Sequence, residues 1–321
     1  MIKRHHQILA AILIAQIVLS AVVFWPKPST AGQREPLFPD LEPDDVTALT
    51  IEDVEGNTLK LEKATGDWVL PEADQYPVRS ATVTDFLNKL TALTTGRLVT
   101  SSDTSHRRLQ VAPNDFLRRV VFETSEGKEE TLYLGSSPQY GSTHFRLEGQ
   151  SDTLLTNELS TWDVRATANA WIDTQYQSVT QSDVNQITLQ NAQGTFVFER
   201  LDDENWTMAD LAEGETLNQT QARSVLRRAS RVTTKKPLGK EERASYEMDD
   251  PKAVVTLETA DRTVTLRVGA KDADEASYVV KSSESDYYVH VAEASLTTLV
   301  QSDREAFLAE PPTPEAESNG S

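Results

Sequence analysis

The sequence predicts an α+β protein with two tandem copies of an antiparallel-sheet unit, each with an amphipathic helix, preceded by one N-terminal transmembrane helix. Three observations lead to this prediction. The stretch from Gly66 to Thr100 has a counterpart that begins at Glu204, short runs of alternating apolar and polar residues flank both stretches, and an apolar run lies near the N-terminus. Alternation of this kind, divided by tight turns, favours antiparallel strands.

A helix is predicted in each copy from the spacing of apolar residues after a tryptophan. Trp68 and Trp206 each close a short strand, and a polar stretch follows. The next apolar positions step by i, i+3, i+4, i+7 and i+10, which places them on one face of a helix. They are Val83, Phe86, Leu87, Leu90 and Leu93 in the first copy and Ala222, Val225, Leu226, Ala229 and Val232 in the second. Five matches at equal offsets indicate an internal duplication.

Strands are predicted before and after each helix. Those of the first copy are at 46–51, 58–62, 67–70, 120–124, 131–134, 144–147 and 153–155. Those of the second copy are at 184–189, 196–198, 205–206, 254–259, 265–268, 278–280 and 287–289. In this alignment Thr131 corresponds to Thr265 and His144 to Tyr278. Each copy is also predicted to end in a helical segment, near Leu159 to Trp171 and near Ala294 to Leu308.

Five regions are predicted along the chain. They are a cytoplasmic flank and transmembrane anchor (1–25), a proline-rich tether (26–44), two α+β repeats (45–172 and 173–310) and a disordered tail (311–321).

The anchor is predicted from the apolar run Ile8 to Trp25, which at ~1.5 Å per residue spans about 27 Å, close to the ~30 Å hydrocarbon core of a membrane. Lys3 and Arg4 precede this run, so the N-terminus is expected in the cytoplasm and the repeats outside the cytoplasmic membrane. The alternative is a cleaved signal peptide with small residues at 29–31.

Composition excludes several classes of function. The formal net charge is −19, from 50 acidic and 31 basic residues, and the chain has no cysteine. An acidic protein is a poor partner for nucleic acid or an anionic membrane surface. The lack of cysteine rules out disulfides, thiolate chemistry and a lipid-modified cysteine.

The sequence predicts no catalytic residue, no cofactor and no metal site. Its histidines, at 5, 6, 106, 144 and 290, lack the spacing of metal ligands, and no phosphate loop or nucleophile elbow occurs. The acidic cluster of Asp272, Asp274 and Glu275 lacks the full pattern of a calcium loop. The basic patch from Lys235 to Lys240 is expected to be a solvated loop.

The order of these elements resembles a known family. A strand-turn-strand unit, Gly66-Asp67-Trp68, a polar stretch with proline, a helix that ends in Thr95-Gly96-Arg97-Leu98-Val99 and a later Leu134-Gly135 are similar to the domain of unknown function numbered 4340. The resemblance covers residues 45 to 309, although Asn205 stands where relatives often have glycine. It implies a membrane-anchored bacterial protein that faces outward from the cytoplasmic membrane. Its relatives are often auxiliary components of ABC-type transport systems, and the family supplies no catalytic residues to carry over.

The expected function is that of a membrane-anchored extracytoplasmic accessory or interaction protein of a bacterial envelope complex, without catalysis of its own. An ABC-type transport system is the candidate complex. The expected partners are therefore other envelope or membrane proteins, together with the membrane itself through Ile8 to Trp25. The alternative is an envelope binding module for a small molecule or glycan, with a pocket lined by Tyr140, Tyr278, Tyr287 and Tyr288. An enzyme is the least favoured class.

Overall fold

Two large antiparallel sheets and three helices organise the part of the chain described by the computed structural model, which comprises Gln16 and residues 35–310. The helices are α1 (Ser80–Thr91), α2 (Gln219–Ser230) and α3 (Glu293–Gln301). The strands of the first half are β1 (Val46–Asp53), β2 (Thr58–Ala64), β3 (Asp67–Leu70), β4 (Tyr76–Pro77), β5 (Leu98–Thr100), β6 (Val111–Ala112), β7 (Asp115–Phe116), β8 (Arg118–Thr124), β9 (Glu129–Leu134), β10 (Thr143–Leu147) and β11 (Thr153–Thr156). Those of the second half are β12 (Gln175–Ser178), β13 (Val184–Asn191), β14 (Gly194–Arg200), β15 (Trp206–Met208), β16 (Arg231–Thr233), β17 (Lys236–Gly239), β18 (Ala253–Thr259), β19 (Thr263–Asp272), β20 (Ser277–Ser282) and β21 (Tyr288–Ala292).

The two sheets have the same strand order. The nine-stranded sheet runs β4-β3-β2-β1-β8-β9-β10-β11-β5, and the eight-stranded sheet runs β15-β14-β13-β18-β19-β20-β21-β17. With β4 set aside, each strand of the first sheet has a counterpart at the same place in the second. The prediction of an α+β fold with repeated antiparallel sheets is therefore confirmed.

The predicted anchor, Ile8 to Trp25, lies outside the described residues apart from Gln16. Among the described residues, no helix combines the length and the apolar character needed to cross a membrane.

Contacts group the described chain into two compact units. Residues 35–45, 86–120 and 130–164 form the first unit, and residues 46–85, 121–129 and 165–310 form the second. These units differ from the two predicted repeats at 45–172 and 173–310. Residues 46–85 and 121–129 belong to the first repeat in sequence but to the second unit by contacts.

The predicted apolar face of each helix is buried, and the two tryptophans lie in the core. All ten positions predicted from the i, i+3, i+4, i+7, i+10 pattern are buried, and Trp68 and Trp206 are 5% and 2% exposed. The last position of each set lies beyond its helix: Leu93 follows the end of α1, and Val232 is in β16. Helix α2 begins after Asn218, whose side chain accepts hydrogen bonds from the N–H groups of Thr220 and Gln221. Such a cap satisfies donors that the first turn of a helix leaves unpaired.

A side chain replaces strand β4 in the second repeat. In the first repeat the Val78 N–H donates to the Trp68 carbonyl at 3.0 Å. In the second repeat the Gln219 side chain accepts from the Trp206 N–H at 2.9 Å and donates to the Trp206 carbonyl at 2.8 Å. The side-chain amide of Gln219 thus pairs with both the N–H and the carbonyl of Trp206 at the sheet edge. The second sheet therefore needs no counterpart of β4 at this residue.

The helix predicted near Leu159 to Trp171 is wrong. The segment forms turns and one short 3-10 helix, Ala168–Ala170. The helix predicted near Ala294 to Leu308 is present in part as α3, which ends at Gln301 and is followed by a 3-10 helix, Glu305–Phe307. Asp163 accepts hydrogen bonds from the backbone and hydroxyl of Ser160, and local bonds of this kind compete with a helix. The Trp171 indole N–H also donates to the carbonyl of Arg165 at 2.8 Å, so a buried ring holds the bent chain.

The strand registers change one step of the predicted alignment. Phe145 lies opposite Leu134, and Val280 lies opposite Val268. Since Leu134 and Val268 correspond in sequence, Phe145 corresponds to Val280, and His144 corresponds to Val279 rather than to Tyr278. The pairing of β19 with β20 has a register shift between Val268 and Lys271, which accounts for the extra residue.

Part of the predicted tether lies on the fold. The Leu37 N–H donates to the Leu93 carbonyl at 2.7 Å, the Thr95 N–H donates to the Glu35 carbonyl at 3.0 Å, and residues 36 and 94 form an antiparallel bridge. Pro43–Asp45 then form a 3-10 helix that leads into β1. Residues 35–45 are therefore attached to the first unit by main-chain hydrogen bonds. Residues 26–34 and the predicted tail, 311–321, lie outside the described residues.

Candidate interaction surface

Strand β5 is an edge strand that exposes two apolar side chains. It forms one end of the nine-stranded sheet, and Leu98 and Val99 are 57% and 42% exposed. An edge strand presents backbone hydrogen-bonding groups along its free side, and proteins usually protect such an edge with charges, proline or a covering segment. Two exposed aliphatic side chains make β5 a candidate contact surface.

Its position is fixed from within the first unit. Leu98 and Thr100 pair with Leu154 and Thr153 of β11. The Leu155 N–H donates to the Arg97 carbonyl at 3.0 Å, and the Arg97 guanidinium donates to the side-chain oxygen of Asn157 at 2.7 Å. Before β5, the backbone of residues 93–95 is bonded to residues 35–37. The edge is thus anchored on its inner side and at its start.

A third exposed apolar residue, Trp162, lies in the ordered loop that follows β11. Trp162 is 80% exposed. The next residue, Asp163, accepts from the Ser160 N–H at 2.8 Å and forms an ion pair with Lys89 of α1 at 2.5 Å. The loop that carries this exposed ring is therefore held in place by a hydrogen bond and an ion pair within the first unit. Tryptophan is enriched at the energetic centres of protein interfaces.

The corresponding edge of the eight-stranded sheet, β17, is covered by other residues of the second unit. Asp74 ends a 3-10 helix, Pro71–Ala73, and its carboxylate accepts from the Lys240 N–H at 2.5 Å. The Tyr287 hydroxyl donates to the Gln75 carbonyl at 3.1 Å, and its ring meets the ring of Tyr76 edge to face at 4.7 Å. Sequence reasoning missed this contact, because nothing in the pattern around Asp74 points to a strand so distant in the chain.

The second unit also has a polar pocket of about 440 Å³ beside β19 and β20. Its lining is Glu242, Met248, Thr265, Arg267, Lys281, Ser282, Ser283 and Tyr288. Of the four tyrosines predicted for a ligand pocket, only Tyr288 lines it; Tyr278 is buried, Tyr287 contacts Tyr76, and Tyr140 is exposed in a turn of the first unit. The Tyr288 hydroxyl donates to Glu242 at 2.6 Å, and burial, with this bond, raises the pKa of Tyr288 to about 12.

One of the two basic residues that line this pocket, Lys281, already has a structural role. The Lys281 ammonium donates to the carbonyls of Ser282 and Ser285. In the first unit, Arg146 donates in the same way to the carbonyls of Leu147 and Gln150. The acceptors Ser282 and Ser285 lie 135 residues after Leu147 and Gln150, so they are equivalent in the two repeats. Arg146 therefore holds the turn after β10, and Lys281 holds the turn after β20. Burial lowers the pKa of the Lys281 ammonium.

The acidic cluster and the basic patch found in the sequence are joined by an ion pair, and most of the predicted loop at the basic patch forms strand β17, Lys236–Gly239. Glu275 forms an ion pair with Lys235 at 2.8 Å, and its N–H donates to the Asp272 carboxylate at 3.0 Å. That carboxylate lies 3.8 Å from the imidazole of His290. Within residues 35–310 and Gln16, no group of three histidine, aspartate or glutamate side chains is placed to hold a metal ion.

Comparison with protein families shows to which family the chain belongs. The family described as "Domain of unknown function (DUF4340)" matches residues 31–110 and 68–236. These two overlapping matches together span more than half of the chain. The protein belongs to the DUF4340 family. Neither the search of curated proteins nor the search of solved structures found a match.

The DUF4340 matches include the exposed edge and leave out the pocket. Both matched ranges contain Leu98 and Val99 on β5. The pocket residues, from Glu242 to Tyr288, lie beyond residue 236, where the matches end. The β5 edge is therefore the candidate surface that lies within the part of the chain shared with the family.

Proposed function

We propose that this DUF4340 protein is a membrane-anchored, extracytoplasmic accessory protein of a bacterial envelope complex, and that it acts by binding other proteins rather than by catalysis. The observation that carries the proposal is the edge strand β5 with its exposed side chains Leu98 and Val99. Exposed apolar residues on an ordered edge are unfavourable for an isolated soluble domain, and the binding of a partner surface would remove them from water. The exposed ring of Trp162, in the same unit, adds to this support.

The attachment point of the chain supports a partner in or near the membrane. The apolar run from Ile8 to Trp25 supplies the proposed anchor. Because residues 35–45 lie on the first unit, only residues 26–34 connect that unit to the run. Nine residues at ~3.3 Å each reach at most about 30 Å. The first unit then works close to the membrane surface, where subunits of an ABC-type transport system are the candidate partners.

Fusion and crosslinking in intact cells test this function. A C-terminal alkaline phosphatase fusion is expected to be active, and the full-length protein is expected in the membrane fraction. Crosslinking followed by mass spectrometry is expected to recover membrane subunits of an ABC-type system. A soluble, shortened mature protein contradicts the anchor. If the protein captures only itself while its purified form turns over a substrate, the accessory role is wrong.

A second candidate function is supported by the pocket beside Tyr288. A concave site with hydroxyls, a guanidinium and one aromatic ring suits a small polar ligand such as a sugar. A sugar that raises the thermal unfolding midpoint of the wild type, but not that of Arg267→Ala, would favour this function. Ser137→Ala, an exposed change outside the pocket lining, is the matched control because it leaves every lining residue in place.

A further inference from the structure

We infer that the free side of β5 accepts an extended segment of a partner protein, which adds one strand to the nine-stranded sheet. The inference rests on the proposed accessory role and specifies its surface and the kind of partner. The partner segment pairs its backbone with β5 and places apolar side chains against Leu98 and Val99. Strand addition of this kind takes affinity from main-chain hydrogen bonds and specificity from alternate side chains.

The backbone direction at Leu98 leaves its hydrogen-bonding groups on the free side. The Arg97 carbonyl accepts from the Leu155 N–H, so this carbonyl faces β11. The Leu98 N–H belongs to the same trans peptide group and points to the opposite side. Successive residues of an antiparallel strand direct these groups to opposite sides. The N–H and carbonyl of Leu98 therefore face away from β11, where the sheet ends in the described part of the chain.

The second repeat carries a proline at the same position of its edge strand. Leu98 lies opposite Leu154 in the first sheet, and Pro237 lies opposite Val289 in the second. Leu154 and Val289 correspond, because each pairs with the equivalent residue of the preceding strand, Phe145 or Val280. Proline has no N–H and protects an edge against strand addition. The first edge has leucine there, so it keeps the donor that the second edge lacks.

The second edge also shows what kind of occupant fits this position. Polypeptide covers β17, since the Asp74 carboxylate accepts from the Lys240 N–H directly after that strand. A lipid chain could contact Leu98 and Val99 but could not satisfy the N–H and carbonyl of Leu98. The observations therefore favour a protein segment over a bilayer as the occupant of β5.

The attachment point of the chain limits where this partner lies. The Thr95 N–H donates to the Glu35 carbonyl, and Thr95 precedes Leu98 by three residues, so residue 35 lies beside the chain that leads into β5. With the proposed anchor, residue 35, near the start of β5, lies within about 30 Å of the membrane surface. The partner segment is then an extracytoplasmic part of a protein of the same membrane.

A photo-crosslinking amino acid at Val99 of the full-length protein, in its own cells, tests the inference. We expect an adduct with one membrane protein, with the attachment sites confined to a single short extended segment of it. In a Leu98→Pro background the adduct is expected to fall at least about tenfold, the change that a loss of 1.4 kcal/mol produces. Leu98→Val keeps the N–H and is expected to retain the adduct. The same crosslinker at the exposed Leu201 is the control for non-specific capture.

Folding of the variants is checked by their urea midpoints. Pro237 already fits the equivalent position, so Leu98→Pro is expected to keep the wild-type midpoint. Leu98→Lys is a second variant, which keeps the exposed backbone and places a charge on the edge. It is expected to lower the adduct as well.

Several results would overturn the inference. They are an adduct with residues 26–34 of the same chain, with lipid or with a second copy, and an adduct that Leu98→Pro leaves unchanged. If crosslinkers at other positions capture partners while the crosslinker at Val99 gives no adduct, strand addition is wrong and the accessory role stands. If the protein leaves the membrane fraction and captures no partner from any position, the accessory role itself is wrong.

Discussion

Gly135 directly follows β9, Gly269 lies at the equivalent position in β19, and each lies directly against a main-chain carbonyl. A Cβ atom added at Gly135 would lie 2.1 Å from the carbonyl oxygen of Leu109, and one added at Gly269 would lie 2.1 Å from that of Tyr246. The residue after each carbonyl, Gln110 or Glu247, has a positive φ of 57° or 52°. The duplication thus extends to loops whose sequences no longer match.

Alanine at either glycine is expected to destabilise the protein. The obstacle is backbone rather than a flexible side chain, so the loop must move to admit a methyl group. Overpacking of this kind costs about 1–3 kcal/mol of the free energy of unfolding. Urea unfolding of Gly135→Ala and Gly269→Ala measures it, with the exposed Ser137→Ala as the control. Wild-type midpoints for both glycine variants would show that the loops do not lie as described.

The tryptophans that mark the repeats are expected to contribute similarly to stability. Trp68 and Trp206 are both buried, and replacement by alanine is expected to cost about 3–5 kcal/mol each. Trp162→Ala, at an exposed ring, is the matched control and is expected to change stability by less than about 0.5 kcal/mol. Thermal unfolding compares the three variants. A large loss for Trp162 alone would reverse the assignment of core and surface.

The cover of β17 is expected to depend on the Asp74 carboxylate. Asp74→Ala removes the acceptor of the Lys240 N–H and is expected to cost about 1 kcal/mol, since the bond is exposed. Asp74→Asn keeps an oxygen at that place and is expected to cost less. The urea midpoints of the two variants test the order. If both equal the wild type, the turn after Pro71–Ala73 does not hold the edge.

His144 is expected to make stability depend on pH. Burial lowers the pKa of its imidazole below the usual 6.5, against a smaller opposing effect of the hydrogen bond with Ser136. Below pH 6.5 the unfolded chain therefore takes up the proton before the folded chain does, so stability falls as pH falls toward the folded pKa. His144→Gln has no such proton to bind. Its urea midpoint is expected to change less than that of the wild type between about pH 7.5 and about pH 5.5. Equal changes would mean that His144 titrates normally in the fold.

Local patterns were sufficient for the repeats and for most elements. The spacing of Val83, Phe86 and Leu87 predicts a buried helix face because helix geometry alone decides which residues share a side. The alternation in β1 and β13 predicts their strands for the same kind of reason. These regularities depend on the chain's own geometry, so no knowledge of distant neighbours is needed.

Contacts between distant parts of the chain were not predictable. The bend that replaces the helix near Leu159 depends on the Asp163 ion pair with Lys89 and on where Trp171 is buried. The exposure of Leu98 could not be predicted from the sequence either, because an apolar side chain suits a core strand as well as an edge strand. Only the strand order shows that β5 ends its sheet while Pro237 protects the equivalent strand.

Amide hydrogen exchange at β5 tests most directly the claim that this edge binds a partner. The exchange of the Leu98 amide in the full-length protein is compared between native membranes and the purified state in detergent. We expect this amide to be protected in native membranes and to exchange quickly once the partner is removed, while the amides of β20 stay protected in both states. Equal protection of Leu98 in the two states would show that β5 binds no partner.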